Sequence, residues 1–374
     1  MRLVTIDNER QLRAWFDFTT GLYAGTGYIP PIRQVVADVW RQAHKGRKGL
    51  ARSFHAVLDA DDRIVARTTL HSDAALDTRF GERVQLFGFT EFTNSYAVFA
   101  FLFERIAAMA AGAGRTQLFG PANFLPNENG GVITSNFEAR SSIDATYNHA
   151  YYPTFYRRFG FSERFQSETW FCRLPSPGAP SPEELFAFDD ARLAREHLQV
   201  HRGDRRHLQD QMVLLLPMLN ASFAQRDYYT PISWEELSAR VDGLDYLLDE
   251  DLLLYLSCDD TPVAFALAVP DISPFLARTG GNLNIWNQLR LLATRRRYRA
   301  SAVLLIKGTV PDAQSKGYMT LLARELYRNL IGNGYEELRT TFVEKSNPAS
   351  ASQLVRMGGE VLHHVVFFAR AVAQ

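Results

Sequence analysis

The sequence predicts a mixed α/β protein made of two similar domains, and three observations carry that expectation. A chain of 374 residues exceeds what one hydrophobic core usually organises. Two patterns recur along it at a shift of about two hundred residues, a domain-sized duplication and not a short solenoid repeat. Between the copies lies LPSPGAPSPEE, where four prolines and a glycine interrupt helix and strand periodicity alike.

The elements follow in order. SFHAVLDADDRIVARTTLHSD reads as two strands around an Asp-rich turn, and DLLLYLSCDDTPVAFALAVPD repeats it, with Asp259 and Asp260 answering Asp61 and Asp62. FYRRFGFSERFQSETWFC, from Phe155, and LVRMGGEVLHHVVFFAR, from Leu354, both read as a helix end, a glycine stop and an alternating strand. Between these patterns each half holds a strand, a long amphipathic helix and a second strand. In the first half they are RVQLFGFTEF, SYAVFAFLFERIAAMAAGAG and RTQLFG; in the second, SAVLLIKGTV, GYMTLLARELYRNLIGNG and YEELRTTFVE. The expected domains are therefore 1–174 and 185–374, with 175–184 as linker. Two long loops stand out, GPANFLPNENGGVITSNFEARSSIDATYN and DISPFLARTGGNLNIWNQLRLLATRRRYR, and loops of that length usually have a functional or bridging role.

Composition removes several function classes. With 41 basic and 41 acidic residues the net charge is zero, so no global field gathers nucleic acid or anionic membrane. Two distant cysteines, Cys172 and Cys258, form neither a metal motif nor a disulfide framework and suit a reducing cytoplasm. No run approaches the roughly 20 apolar residues of a membrane helix. There is no Walker loop, nucleophile elbow or dinucleotide glycine triplet, and no metal is expected. His197 and His201 have helical spacing without a metalloprotease glutamate. Arg295 to Arg299, RRRYR, read either as a solvated charge run or as a phosphate contact.

The turn between SAVLLIKGTV and its helix, Gln314-Ser315-Lys316-Gly317-Tyr318-Met319, carries the chemistry. A helix starting directly after a strand leaves its first amides unpaired beside a positive dipole end, a physical site for phosphate. This turn resembles the Q/R-x-x-G-x-G/A loop of the GNAT family, the acyl-CoA-dependent N-acyltransferases, with Met319 where that family usually has a small residue. Phe155-Tyr156-Arg157-Arg158-Phe159-Gly160-Phe161 resembles the family's L-Y-x-x-x-G-F segment, and the corresponding second-half position is Val355. With its GP-x-N loop and N-x-x-Y-Y segment the chain resembles bacterial tandem GNAT proteins. The resemblance implies acetyl-CoA or another acyl-CoA as co-substrate, its diphosphate on residues 314–319 and its pantetheine arm beside Asn347. It also implies Tyr156 as acid toward the departing thiolate.

Acyl transfer to an amine also needs a base. Glu344, ending TTFVE, and Glu91, within the apolar strand FGFTEF, are the candidates, burial of the second raising its pKa. Asn123, Asn127 and Glu128 in the first long loop, with Tyr228 and Tyr229 in QRDYYTPIS, are candidates to read the acceptor, which is expected to be a small-molecule amine in a groove between the domains. Each of these residues has an ordinary alternative as a packed, capped or solvated group. Two other readings stay open: an aminoacyl-tRNA-dependent transferase of the Fem type, and a tandem GNAT protein that binds a metabolite without turnover. Whether the chain pairs with its own copy is also open.

Overall fold

A computed structural model describes residues 1–44, 52–124, 129–175, 178, 180–241 and 248–373. In chain order the elements are Arg2–Thr5 (β1), Glu9–Leu22 (α1), Arg33–His44 (α2), Ser53–Leu58 (β2), Ile64–His71 (β3), Ala74–Phe80 (α3), Val84–Phe92 (β4), Tyr96–Gly112 (α4), Gln117–Gly120 (β5), Val132–Ile133 (β6), Tyr151–Arg158 (α5) and Ser162–Arg173 (β7). There follow Pro182–Leu185 (α6), Ala191–Arg195 (α7), Leu198–Arg202 (β8), Leu208–Phe223 (α8), Trp234–Val241 (α9), Leu253–Cys258 (β9), Thr261–Pro270 (β10), Ser273–Thr279 (α10), Ile285–Thr294 (α11), Ser301–Thr309 (β11), Tyr318–Gly332 (α12), Glu337–Thr340 (β12), Val343–Glu344 (β13), Pro348–Arg356 (α13) and Glu360–Ala371 (β14). The mixed α/β expectation holds, and among the described residues no helix is long and apolar enough to cross a membrane.

The chain divides into two compact units, but not at the proline-rich segment. One unit holds 1–167, 273–284 and 363–374; the other holds 168–272 and 285–362. The expected boundaries, 1–174 and 185–374, therefore shift for two physical reasons. β7 and β14 are 12 residues each, about 40 Å at strand rise, and each begins in one unit and ends in the other. The segment with α10 belongs to the first unit because that unit satisfies its polar groups: the Arg33 guanidinium donates to the Gly280 carbonyl at 2.6 Å, and Ser273 Oγ accepts the Ile143 amide at 2.7 Å.

In the first unit strands run in the order β1-β2-β3-β4-β5-β14; in the second, β7-β12-β11-β10-β9-β8. Neighbours are antiparallel except one central pair in each unit, β4 with β5 and β11 with β12, which the strand, helix, strand crossovers make parallel. The β9–β10 turn is a two-residue loop with Asp259 at φ 46° and Asp260 at φ 62°, the left-handed pair that matches hairpin twist. His197 and His201 do not share a helix. Residues 198–202 pair with β9, which places His201 Nε2 2.8 Å from Ser257 Oγ and stacks its ring on Tyr255.

The two cores differ in kind. In the first unit α4 packs Phe99, Leu102, Phe103 and Ile106, all fully buried, onto Phe87 and Phe92 of β4 and Phe368 of β14. In the second, α12 presents Leu321, Leu322, Leu326 and Leu330 to the small residues Ala264, Ala266 and Ala268 of β10, so helix and sheet approach closely.

Gly88 of β4 shows how tightly the first unit is filled: a Cβ there would lie 2.0 Å from the Ala122 carbonyl oxygen. Gly88→Ala is expected to destabilise the fold by about 1–3 kcal/mol. Gly112→Ala, where a Cβ meets nothing within 4 Å, is expected to stabilise a helix end by roughly 0.5 kcal/mol. Urea denaturation midpoints of the two variants check both signs.

Candidate functional site

The parallel pair of the second unit does not stay paired. Ser301 to Leu304 register against Glu337 to Thr340, and there the ladder ends. The Thr341 amide donates to the Leu304 carbonyl, its hydroxyl donates to the Leu305 carbonyl at 2.7 Å, and β11 runs on to Thr309. From Ile306 onward β11 keeps only its antiparallel partner β10 among the described residues. The result is an open strand edge that leads directly into residues 310–317.

Those residues form a tight left-handed turn. Ser315 at φ 63° and Gly317 at φ 80° are both left-handed around Lys316, the alternation that turns successive amides to one side. Among the described residues no protein acceptor takes the amides of Ser315, Lys316, Gly317, Tyr318 or Met319. Gln314, Ser315, Lys316 and Gly317 are all exposed, at the N-terminus of the 15-residue α12. A Cβ on Gly317 would meet only a guanidinium nitrogen of Arg192 at 3.8 Å, so glycine is required here by backbone angle and not by crowding.

A latch holds the turn from below. Arg192 forks onto Glu196 at 2.6 and 3.0 Å and donates to the Lys316 carbonyl at 2.9 Å, while the Tyr318 hydroxyl donates to Glu196 at 2.9 Å. The Arg192 bonds keep the Glu196 carboxyl down to about 2. Burial first, then the Glu196 charge, pushes the Tyr318 phenol up to about 12. Met319 packs its side chain against the core of the unit, away from the exposed turn.

Four more candidate side chains belong to the same unit. Glu344 ends β13 as an ion pair with Arg226 and receives the Ser346 hydroxyl at 3.2 Å. Burial first, with Glu344 beside it, raises the Tyr228 phenol well above its ordinary value. Tyr229 donates to Asn220 at 2.6 Å and is buried, its ring against Phe223. Asn347 caps α13: its Oδ1 accepts the Ser350 amide and its Nδ2 donates to the Ser350 hydroxyl. Its side chain is therefore engaged within its own turn.

Lys307 is the residue that sequence reasoning missed. It lies on β11 three residues beyond the last β12 pairing, half-buried, and donates to Gln353 Oε1 at 2.6 Å and to the Ser350 carbonyl at 3.5 Å. No carboxylate pairs with it among the described residues, and burial lowers its pKa to about 8. The available signal was a lysine inside the apolar run SAVLLIKGTV, where charge is rarely placed without reason. Cys172 is fully buried and its thiol is pushed up to about 12, which removes it as a nucleophile, while the half-buried Cys258 donates to the Glu196 carbonyl at 3.3 Å.

The same region of the first unit is filled. β4 and β5 pair only from Val84 to Leu86, as in the second unit. Beyond that point the Ala122 amide bonds the Phe87 carbonyl, Asn123 Oδ1 accepts the Phe89 amide at 2.7 Å, and Tyr152 and Tyr151 take the amide and carbonyl of Phe92. Asn123 is thus a substitute ladder partner. Asn127 and Glu128 lie outside the described residues. Glu91 is buried and receives Tyr23 at 2.5 Å and Tyr152 at 2.7 Å, opposite Arg67 in the β3–β4 register. Burial raises its pKa and Arg67 opposes the shift. Tyr156 is fully buried among Phe87, Phe99, Phe103, Phe161 and Phe368, with no hydrogen-bond partner for its hydroxyl among the described residues. It belongs to the first unit, the turn at 314–319 to the second.

Among the described residues no cluster of three or more potential metal ligands occurs. No protein-family model matches the chain. Protein YghO of Escherichia coli strain K12 is 22% identical over 295 residues, which span 77% of this chain and 73% of that one. A tandem GNAT protein from the clavulanic acid biosynthesis pathway superposes with a TM-score of 0.58 at 11% identity, covering 100% of this chain and 99% of that one. A GCN5-related N-acetyltransferase from Sphaerobacter thermophilus gives 0.50 at 10% identity, covering 100% and 96%. The fold is tandem GNAT-like over the whole chain.

The lysine has a signature in stability. Its folded pKa, about 8, lies below the ordinary 10.5, so between those values the unfolded chain binds the proton more tightly and raising the pH favours folding. Wild type is expected to gain stability relative to Lys307→Met as pH rises through that interval, read from urea titrations at stepped pH. A difference that stays constant with pH contradicts the assignment.

Proposed function

We propose that this tandem GNAT-like protein is an acyltransferase that moves an acyl group from a CoA thioester to the amine of a small molecule, using the second unit. The observation that carries the reading is the run of five amides, Ser315 to Met319, without acceptors among the described residues, at the end of an open strand edge. Amides on a helix N-terminus complement a diphosphate, and the free edge of β11 offers its backbone to the amide groups of a pantetheine arm. The structural likeness to GNAT acetyltransferases supports the same reading.

In the proposed reaction the neutral amine attacks the thioester carbonyl, a C–N bond forms, and the C–S bond breaks as the tetrahedral intermediate collapses. The proton lost by the amine goes to a base and the CoA thiolate takes one from an acid. Glu344 is the proposed base, with Arg226 and Tyr228 fixing its orientation. Lys307, lowered to about 8, is matched to a thiol leaving group, whose ordinary pKa is about 8.5, and is the proposed acid in place of a tyrosine. Attack is proposed to be direct, since Cys172 is fully buried and the Cys258 thiol is engaged by the Glu196 carbonyl.

A second reading is binding without turnover. It is favoured by the ion pair that engages Glu344 and by Val355, 58% exposed where the motif would carry a tyrosine.

Calorimetry with CoA and acetyl-CoA tests the shared premise. A Gly317→Trp substitution strains a left-handed residue by roughly 1–2 kcal/mol and puts an indole in the amide cradle. It is expected to weaken binding on the order of 100-fold, about 2.7 kcal/mol; equal affinity in variant and wild type contradicts the cradle. Glu344→Gln is expected to keep CoA affinity and lower turnover by roughly 100-fold or more. A Glu344→Gln enzyme with undiminished turnover removes Glu344 from the role of base.

A further inference from the structure

α11 is amphipathic in reverse. Its buried contact is Leu291, while Ile285 (61% exposed), Trp286 (76%), Leu289 (51%) and Leu292 (41%) face outward. Ile285, Leu289 and Leu292 repeat at i, i+4 and i+7, one stripe of a helix, with Trp286 at its border. A solvent-facing stripe of four large apolar side chains on one short helix marks a contact surface.

Charge selects the occupant. From 285 to 299 the sequence, IWNQLRLLATRRRYR, contains five arginines and no acid. Arg299 lies 3.7 Å from Asp249, whereas Arg290, Arg295, Arg296 and Arg297 are exposed and form no ion pair among the described residues. The neutral total charge hides this concentration.

We propose that α11 and the arginine turn after it dock the protein on an anionic lipid surface. The helix lies in the headgroup plane, Ile285, Leu289 and Leu292 enter the acyl boundary, Trp286 sits at the interface, and the arginines meet lipid phosphates. A second copy packed on the same stripe would cover Ile285, Leu289 and Leu292 but offer the arginines no opposite charge, since 285–299 contains no acid. Nucleic acid satisfies the arginines but offers nothing to Ile285, Leu289 and Leu292. The expectation of no membrane partner rested on spanning segments and net charge, and neither reports a surface helix. Docking does not depend on the acyltransferase reading.

The test uses the full-length protein and vesicles of phosphatidylcholine alone or with about one third phosphatidylglycerol. The protein is expected to sediment with the anionic vesicles only, less at raised salt, with a blue shift of tryptophan fluorescence. Trp286→Ser with Leu289→Ser, and separately Arg295→Glu with Arg296→Glu and Arg297→Glu, are each expected to reduce partitioning by roughly tenfold or more. Failure of the wild type to sediment with anionic vesicles overturns the proposal, as does equal sedimentation of both variants. A wild-type dimer that becomes monomeric in the Trp286→Ser, Leu289→Ser protein, by light scattering, gives the face to a second copy and also overturns it.

Discussion

The parting of β11 from β12 after Leu304 and Thr340 is the constraint on which the rest of the second unit depends. Parallel strands joined through a helix fix where that helix begins. α12 buries Leu321, Leu322, Leu326 and Leu330 against the alanine face of β10, so its N-terminus is anchored at the open end of β11. The helix cannot start later without exposing Tyr318, which is buried and bonded to Glu196. Five amides are therefore left without acceptors among the described residues, and Arg192 holds the turn that carries them.

Each unit builds the same parallel pair and treats the opening differently. In the first, a loop amide, an asparagine side chain and two tyrosines satisfy the β4 backbone past Leu86, and a phenylalanine cluster closes over it. Its carboxylate, Glu91, is fully engaged by Tyr23 and Tyr152. In the second, the corresponding edge is open, and of the nearby titratable groups Lys307 and Glu344 are half-buried while Tyr228 is buried. A filled unit tolerates no Cβ at Gly88; an open one has room for a ligand to supply the missing hydrogen bonds. The division of labour is a difference in what satisfies backbone, not in topology.

Much of this was legible in the chain. The repeated hairpins, the long helices and the Gln314 to Met319 turn announce themselves through period, turn chemistry and a glycine, which are local signals. What was not legible depends on distance. Asn123 gave no sign that it completes β4, because its partner is 34 residues away. The pairing of Glu344 with Arg226 joins positions 118 apart. The unit boundaries fall inside β7 and β14, since an apolar strand pattern does not say which layer covers each end. Lys307 was visible only as a charge in an apolar run, and its lack of a carboxylate partner is a property of three strands and a helix together. The reversed face of α11 needed the fold, because its stripe reads from sequence as an ordinary core-facing helix.

The amides of Ser315 to Met319 are the proposed binding groups for a diphosphate. Hydrogen–deuterium exchange with and without saturating CoA measures those amides themselves. Slowed exchange is expected in the peptide spanning 314–320 and along β11, with the first unit unchanged. Protection confined to the β4–α4 region of the first unit, or absent from 314–320 while CoA is bound, would contradict it.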